Sequence, residues 1–228
     1  MTALAFDSKH SHRKTMRVTA KICGIRDEEA LDAAAAGGAS HVGLVFFPPS
    51  PRNLAVDQAA ALANRAAGRM RLVGLFVDPA PDLVGAVASA VRLDAIQLHG
   101  HEPPELARAL KSALGLEVWK AIPVKTRRDL DTATRYAGAV DRLLYDARPP
   151  EGAAQPGGTG HRFDWSLLDG FDHPLPWALA GGLGPSNVKD AVARTGARMV
   201  DVSSGVESAP GVKDVDKIAA FLKATRDL

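Results

Sequence analysis

A chain of 228 residues that is 46% apolar and 24% charged, with a formal charge of +2, has a soluble protein's composition and ample length for a hydrophobic core. That balance does not call for nucleic acid or an anionic lipid surface. The single cysteine, Cys23, allows no internal disulfide and no cysteine-built metal site, and the expected compartment is the cytoplasm.

The chain opens with MTALAFDSKHSHRKTM, which lacks the apolar core of a secretory signal. Residues 1–16 are expected to form a disordered extension, and Met16 offers an alternative start. Charge interrupts every later apolar run before the roughly 18 residues of a membrane helix, so no membrane association is expected.

From residue 18 short apolar, β-branched runs alternate with alanine-rich segments carrying charges at helical spacing. Strands are expected at 18–23, 40–46, 71–77, 94–98, 117–122, 141–146, 176–180 and 198–202. Helices are expected at 27–36, 56–67, 81–91, 103–114, 127–138, 164–169, 185–195 and 212–226. Start signals include Asp27, Asp57, Pro103-Pro104 and Pro185-Ser186. The strands are apolar throughout, the pattern of a parallel sheet covered on both faces.

Eight βα units in about 210 residues suit a compact α/β fold, a single-domain (β/α)8 TIM barrel over residues 17–228. A doubly wound open sheet competes, but its dinucleotide fingerprint GxGxxG is missing, because the first turn reads CGIRDE. The barrel places chemistry at the C-terminal ends of its strands.

Few polar residues stand there. The first strand ends in Cys23, the fourth in Gln97-Leu98-His99-Gly100, the sixth in Asp146, the seventh in Gly181-Gly182 and the eighth in Asp201, with Ser203-Ser204-Gly205 beyond. Glycine-bearing loops after the last two strands suit a phosphate, whose oxygens need close backbone approach. Cys23 is either a small buried apolar side chain or, with Lys21 on the same strand face lowering its pKa, a thiolate base. Lys21 has the alternative of an ion pair with Asp201 inside the barrel. Asp146 follows the apolar Leu-Leu-Tyr, where burial would raise a carboxyl toward the range of a general acid, or else it caps the next loop. That loop, ARPPEGAAQPGGTG, is about 14 residues long and suits a mobile lid. Arg52 follows the stiff Phe-Pro-Pro-Ser-Pro run and is either held over the barrel mouth for a carboxylate or exposed.

The segments KICG, VGLVFFPPSPRN, VGLFV, QLHG, YD, GGTGHRFDW, LAGGLGPSNV and DVSSGVESAPGVKD, in that order, resemble the phosphoribosylanthranilate isomerase family of tryptophan biosynthesis. The resemblance implies a small-molecule substrate, a phosphosugar joined to anthranilate. It also implies an aldose-to-ketose Amadori rearrangement with Asp146 as general acid and Cys23 as general base. Arg52 falls on a residue near the anthranilate carboxylate, and Gly181, Gly182, Ser203, Ser204 and Gly205 fall on the phosphate loops. His99 and Asp201, in QLHG and DVSSG, complete the expected substrate contacts. Proton transfers alone suffice for this reaction, so no metal and no organic cofactor is expected, and the enzyme is expected to be a monomer.

Three rivals keep part of this picture. Lys120 on the fifth strand would form a Schiff base in an aldolase. His99 and His101 would bind zinc in a hydrolase. A silent phosphosugar-binding protein would need neither Cys23 nor Asp146.

Overall fold

A computed structural model describes residues 17–148, 157–158 and 160–228; the expected N-terminal extension and most of the expected lid lie outside the described residues. Strands β1 (Thr19–Cys23), β2 (His41–Phe46), β3 (Arg71–Phe76), β4 (Ala95–Leu98), β5 (Glu117–Val124), β6 (Arg142–Ala147), β7 (Trp177–Leu179) and β8 (Met199–Val202) close into a parallel barrel in chain order. The closing seam pairs Lys21 of β1 with Asp201 of β8. All eight strands lie within two residues of their expected limits, because each is an apolar run buried on both faces.

Around the barrel run α1 (Glu28–Gly37), α2 (Val56–Ala66), α3 (Pro81–Val91), α4 (Pro104–Leu114), α5 (Val188–Thr195) and α6 (Val215–Arg226). Their apolar faces and the outward strand residues, such as Ile22, Val42, Leu44 and Ile96, form the main core. Asp27 caps α1 as expected, its side chain accepting from Ala30 N. Asp57 is no cap: α2 starts one residue earlier, and Gln58 Oε1 accepts from Ala55 N at the same end.

Two expected helices are 3-10 segments instead, Arg127–Tyr136 and Trp165–Leu168. In RRDLDTATRY the aspartates and threonines compete for backbone hydrogen bonds: Asp129 Oδ2 accepts from Lys125 N and Thr126 N, and Thr134 donates to Asp131 O. The last helix also starts later than expected. Gly211, at φ 80°, turns the chain into a short antiparallel hairpin of β9 (Glu207–Ala209) and β10 (Val212–Lys213), and Asp214 then caps α6.

Inside the barrel the alternation of each strand stacks small and large side chains. Val73, Ala95, Trp119, Ala121, Leu144, Ala178, Ala180 and Met199 fill the middle. His41 plugs the N-terminal end, edge-on to Trp119 with ring centroids 5.2 Å apart and with Nδ1 2.8 Å from Ser40 Oγ. Burial, together with the nearby Arg71, Lys21 and Arg142, pushes its pKa down to about 4. A histidine of the unfolded chain takes up a proton near pH 6.5, which the folded chain refuses until about pH 4. His41 therefore contributes no loss above pH 6.5 and costs stability progressively as pH falls from there toward 4, by roughly 3 kcal/mol in all. Urea unfolding at pH 7 and pH 4.5 is expected to show this loss, and His41→Gln to flatten it; an equal loss in the variant would refute the assignment.

Candidate active site

Cys23 ends β1 with its side chain inward, packed on Val45 and Leu75 and 5% exposed. The neighbouring Gly43 of β2 makes room for it, since a Cβ there would stand 2.7 Å from Sγ and 3.2 Å from Lys21 Cε. Lys21 is fully buried and its Nζ lies 2.8 Å from Asp201 Oδ1, so the ion pair is realised. The expected lowering of the thiol's pKa is corrected. Burial pushes it up, and the ammoniums of Lys21 and Lys213 pull it down by less, with Asp201 acting against them.

Asp146 lies on β6, three strands from Cys23 around the ring. Its Oδ1 accepts from Ala147 N at 2.8 Å, and its Oδ2 faces His99 Nε2 at 3.2 Å. Gln97 Nε2 lies 2.9 Å from His99 Nδ1. With the amide donating there, the ring proton sits on Nε2 and points at the carboxyl. Two glycines leave this carboxyl its space: a Cβ on Gly181 would lie 3.0 Å from Oδ1, and one on Gly157 would lie 2.8 Å from Oδ2.

Arg52 is neither exposed nor poised alone. The loop after β2 folds back, with Leu54 N donating to Val45 O and Ser50 Oγ accepting from Arg52 N, and turns the side chain inward to 5% exposure. Arg52 Nε and Nη2 each lie 2.8 Å from an oxygen of Glu207, and Nη2 also donates to Gly158 O at 3.1 Å. Glu207 Oε1 accepts in addition from Lys213 Nζ at 2.8 Å, and Lys213 reaches Ser203 O at 3.0 Å. The sequence singled out neither Glu207 nor Lys213; the turn residues Pro210-Gly211 were the local signal that they belong to a hairpin.

Gly181 and Gly182 take left-handed φ values of 82° and 61°, which let the loop after β7 run close under Asp146 and beside His161. Ser203 and Ser204 face the same space. Gly205 lies behind them, where any Cβ would collide with Leu183 O, so it lets the two loops meet. All the expected site residues except Gly205 line one cleft.

Neither of two rivals finds its full set of residues in the cleft. Lys120 Nζ is held by Glu102 at 3.1 Å, Gly100 O at 2.8 Å and Leu98 O at 3.3 Å, outside the cleft lining. His101 is 97% exposed in its side chain and pairs with Asp78, whereas His99 points inward. Among the described residues no three metal-ligating side chains converge, and no helix is long and apolar enough to cross a membrane.

A closed parallel barrel with a thiol, a buried carboxyl and glycine loops at the C-terminal ends of its strands has the layout of a (β/α)8-barrel enzyme. The sequence profile of the N-(5'-phosphoribosyl)anthranilate isomerase family matches residues 20–224, and the chain belongs to that family. It is 56% identical over 211 residues to N-(5'-phosphoribosyl)anthranilate isomerase of Paramagnetospirillum magneticum, covering 92% of this chain and 98% of that one. The crystal structure of phosphoribosyl anthranilate isomerase from Thermotoga maritima superposes with a TM-score of 0.83 at 39% identity, over 92% of this chain and all (100%) of the other. A phosphoribosyl anthranilate isomerase in complex with reduced 1-(o-carboxyphenylamino)-1-deoxyribulose 5-phosphate superposes with a TM-score of 0.81 at 37% identity, over 92% and 100% of the two chains.

Proposed function

We propose that the protein converts N-(5-phosphoribosyl)anthranilate to 1-(2-carboxyphenylamino)-1-deoxyribulose 5-phosphate, an Amadori rearrangement of tryptophan biosynthesis. The observation that carries this reading is the presence of Cys23 and Asp146 in one cleft, on strands well apart around the ring, beside the glycine and serine loops. The loops after β7 and β8 hold the phosphate, Arg52 meets the anthranilate carboxylate, and His99 and Asp201 complete the substrate contacts.

Asp146 in its protonated form gives its proton to the ribose ring oxygen. The C1′–O4′ bond breaks, and the nitrogen lone pair forms the C1′=N bond of a protonated Schiff base. His99 and Ala147 N–H stabilise the carboxylate left behind. The Cys23 thiolate then removes the proton from C2′, and the electron pair forms the C1′=C2′ bond of an enolamine and neutralises the nitrogen. Proton loss from the C2′ hydroxyl and gain at C1′ give the ketose. Every step moves a proton, and positioned acid and base groups each contribute about 10²–10⁴-fold.

The lone cysteine supports a cytoplasmic location, and a monomeric state is supported by a surface whose large exposed apolar side chains, among the described residues, are Val56, Leu83 and Val212. A fluorescence assay with purified protein is expected to show catalytic loss of phosphoribosylanthranilate without added metal or cofactor. No loss over the spontaneous rate would end this reading.

A further inference from the structure

The hairpin after β8 is an addition to the eight βα units, and it brings two charged side chains under the cleft. Glu207 grips Arg52 through both carboxylate oxygens, in the paired geometry that fixes a guanidinium's plane as well as its place. Three further contacts hold that grip. Lys213 Nζ shares Glu207 Oε1, Gly211 N lies 3.3 Å from Glu207 Oε2, and Lys217 Nζ donates to Glu207 O at 2.7 Å. The hairpin turn is seated on the Arg52 loop itself, since a Cβ on Gly211 would lie 2.5 Å from Pro51 O. The path of the arginine is also narrow: a Cβ on Gly24 would lie 2.6 Å from its Cδ, and one on Gly158 would lie 2.6 Å from its Nη1.

Charge gives the arrangement a second purpose. An arginine paired only with a glutamate is a neutral unit and attracts a carboxylate poorly. With Lys213 on the same glutamate, the carboxylate is shared between two cations and neutralises the guanidinium less completely. The same ammonium holds Ser203 O and lies 3.3 Å from Ser203 Oγ, so one side chain ties the arginine clamp to the serine loop.

We propose that Glu207 and Lys213 are positioning residues for Arg52: Glu207 orients the guanidinium and Lys213 draws part of the glutamate's charge away from it, so that together they set the selectivity for a substrate bearing an aromatic carboxylate. This inference rests on the reading of Arg52 as the carboxylate contact.

Calorimetric titration tests it with two ligands, the reduced product analogue with its carboxyphenyl group and the phenyl counterpart without the carboxylate. Binding is read without turnover, so a failure of the proposed reaction appears in the activity assay and a failure of the clamp appears here. The wild-type protein is expected to prefer the carboxylate ligand at least about tenfold. Glu207→Asp keeps the charge but withdraws it by one methylene, and it is expected to erase most of that preference while binding the phenyl ligand within about threefold of wild type. Glu207→Gln, which keeps the reach and loses the charge, is expected to do the same, and Lys213→Met to lower the preference by about threefold or more. A preference that survives or rises in both Glu207 variants would overturn the proposal. So would equal weakening of the two ligands, the mark of a merely structural role, or a wild type with no preference. An unchanged preference in Lys213→Met would remove that residue from the clamp. If one Glu207 variant fails to fold, the other decides.

Discussion

Replacing Cys23 with alanine is expected to lower kcat for phosphoribosylanthranilate by at least ~10²-fold with little change in KM, because in the proposed mechanism the thiolate acts on C2′ and the substrate is held elsewhere. The side chain is small and sits at the upper edge of the barrel interior beside Val45 and Leu75, so the variant should keep the wild-type circular dichroism and unfolding midpoint. The pH profile supplies an independent check. Burial raises the thiol's pKa in the free enzyme, so thiolate is scarce at neutral pH and kcat/KM should climb with pH on the alkaline side of an ordinary cysteine. Residual activity in the alanine variant should lose this limb. A near-normal rate, or an unchanged limb, would remove Cys23 from the chemistry.

Asp146→Asn is the second large effect. The amide oxygen can still accept from Ala147 N, and the side chain keeps its volume between Gly181 and Gly157, so fold and substrate binding should survive. What is lost is the proton that the proposed mechanism gives to the ring oxygen, and kcat is expected to fall by at least ~10²-fold. The comparison with His99→Asn is informative, because that change removes the N–H that faces the carboxyl and leaves the acid itself in place. A smaller fall is expected there. Wild-type turnover in Asp146→Asn would mean that the furanose opens without help from this carboxyl.

The barrel was legible because its strands are buried on both faces and therefore read as apolar runs without alternation. Against such runs, Lys21, Gln97, Asp146 and Asp201 stand out as polar residues that the interior must satisfy, and all four are buried. The Lys21–Asp201 pair was readable as one of two alternatives, and the seam between β1 and β8 settles it by placing the two residues in register. The sign of the thiol's shift was not readable in the same way. It depends on the balance between burial and three charges from different elements, which no local spacing records.

Arg52 shows the same limit at longer range. Its proline-rich loop announced a stiff segment, but its partner lies 155 positions further along the chain, and the hairpin that carries Glu207 spans only a few residues. The 3-10 segments were misread for a local reason, since RRDLDTATRY has helical spacing of its apolar residues yet is rich in side chains that take the backbone's own donors.

The most direct test of the account is a crystal structure of the protein with reduced 1-(o-carboxyphenylamino)-1-deoxyribulose 5-phosphate. The account predicts Cys23 Sγ against C2 of the ribulosyl chain, an Asp146 carboxyl oxygen at hydrogen-bond distance from O4, and the phosphate on the loops after β7 and β8. A ligand whose C2 lies out of reach of Sγ, or whose O4 turns away from Asp146 toward solvent, would contradict it.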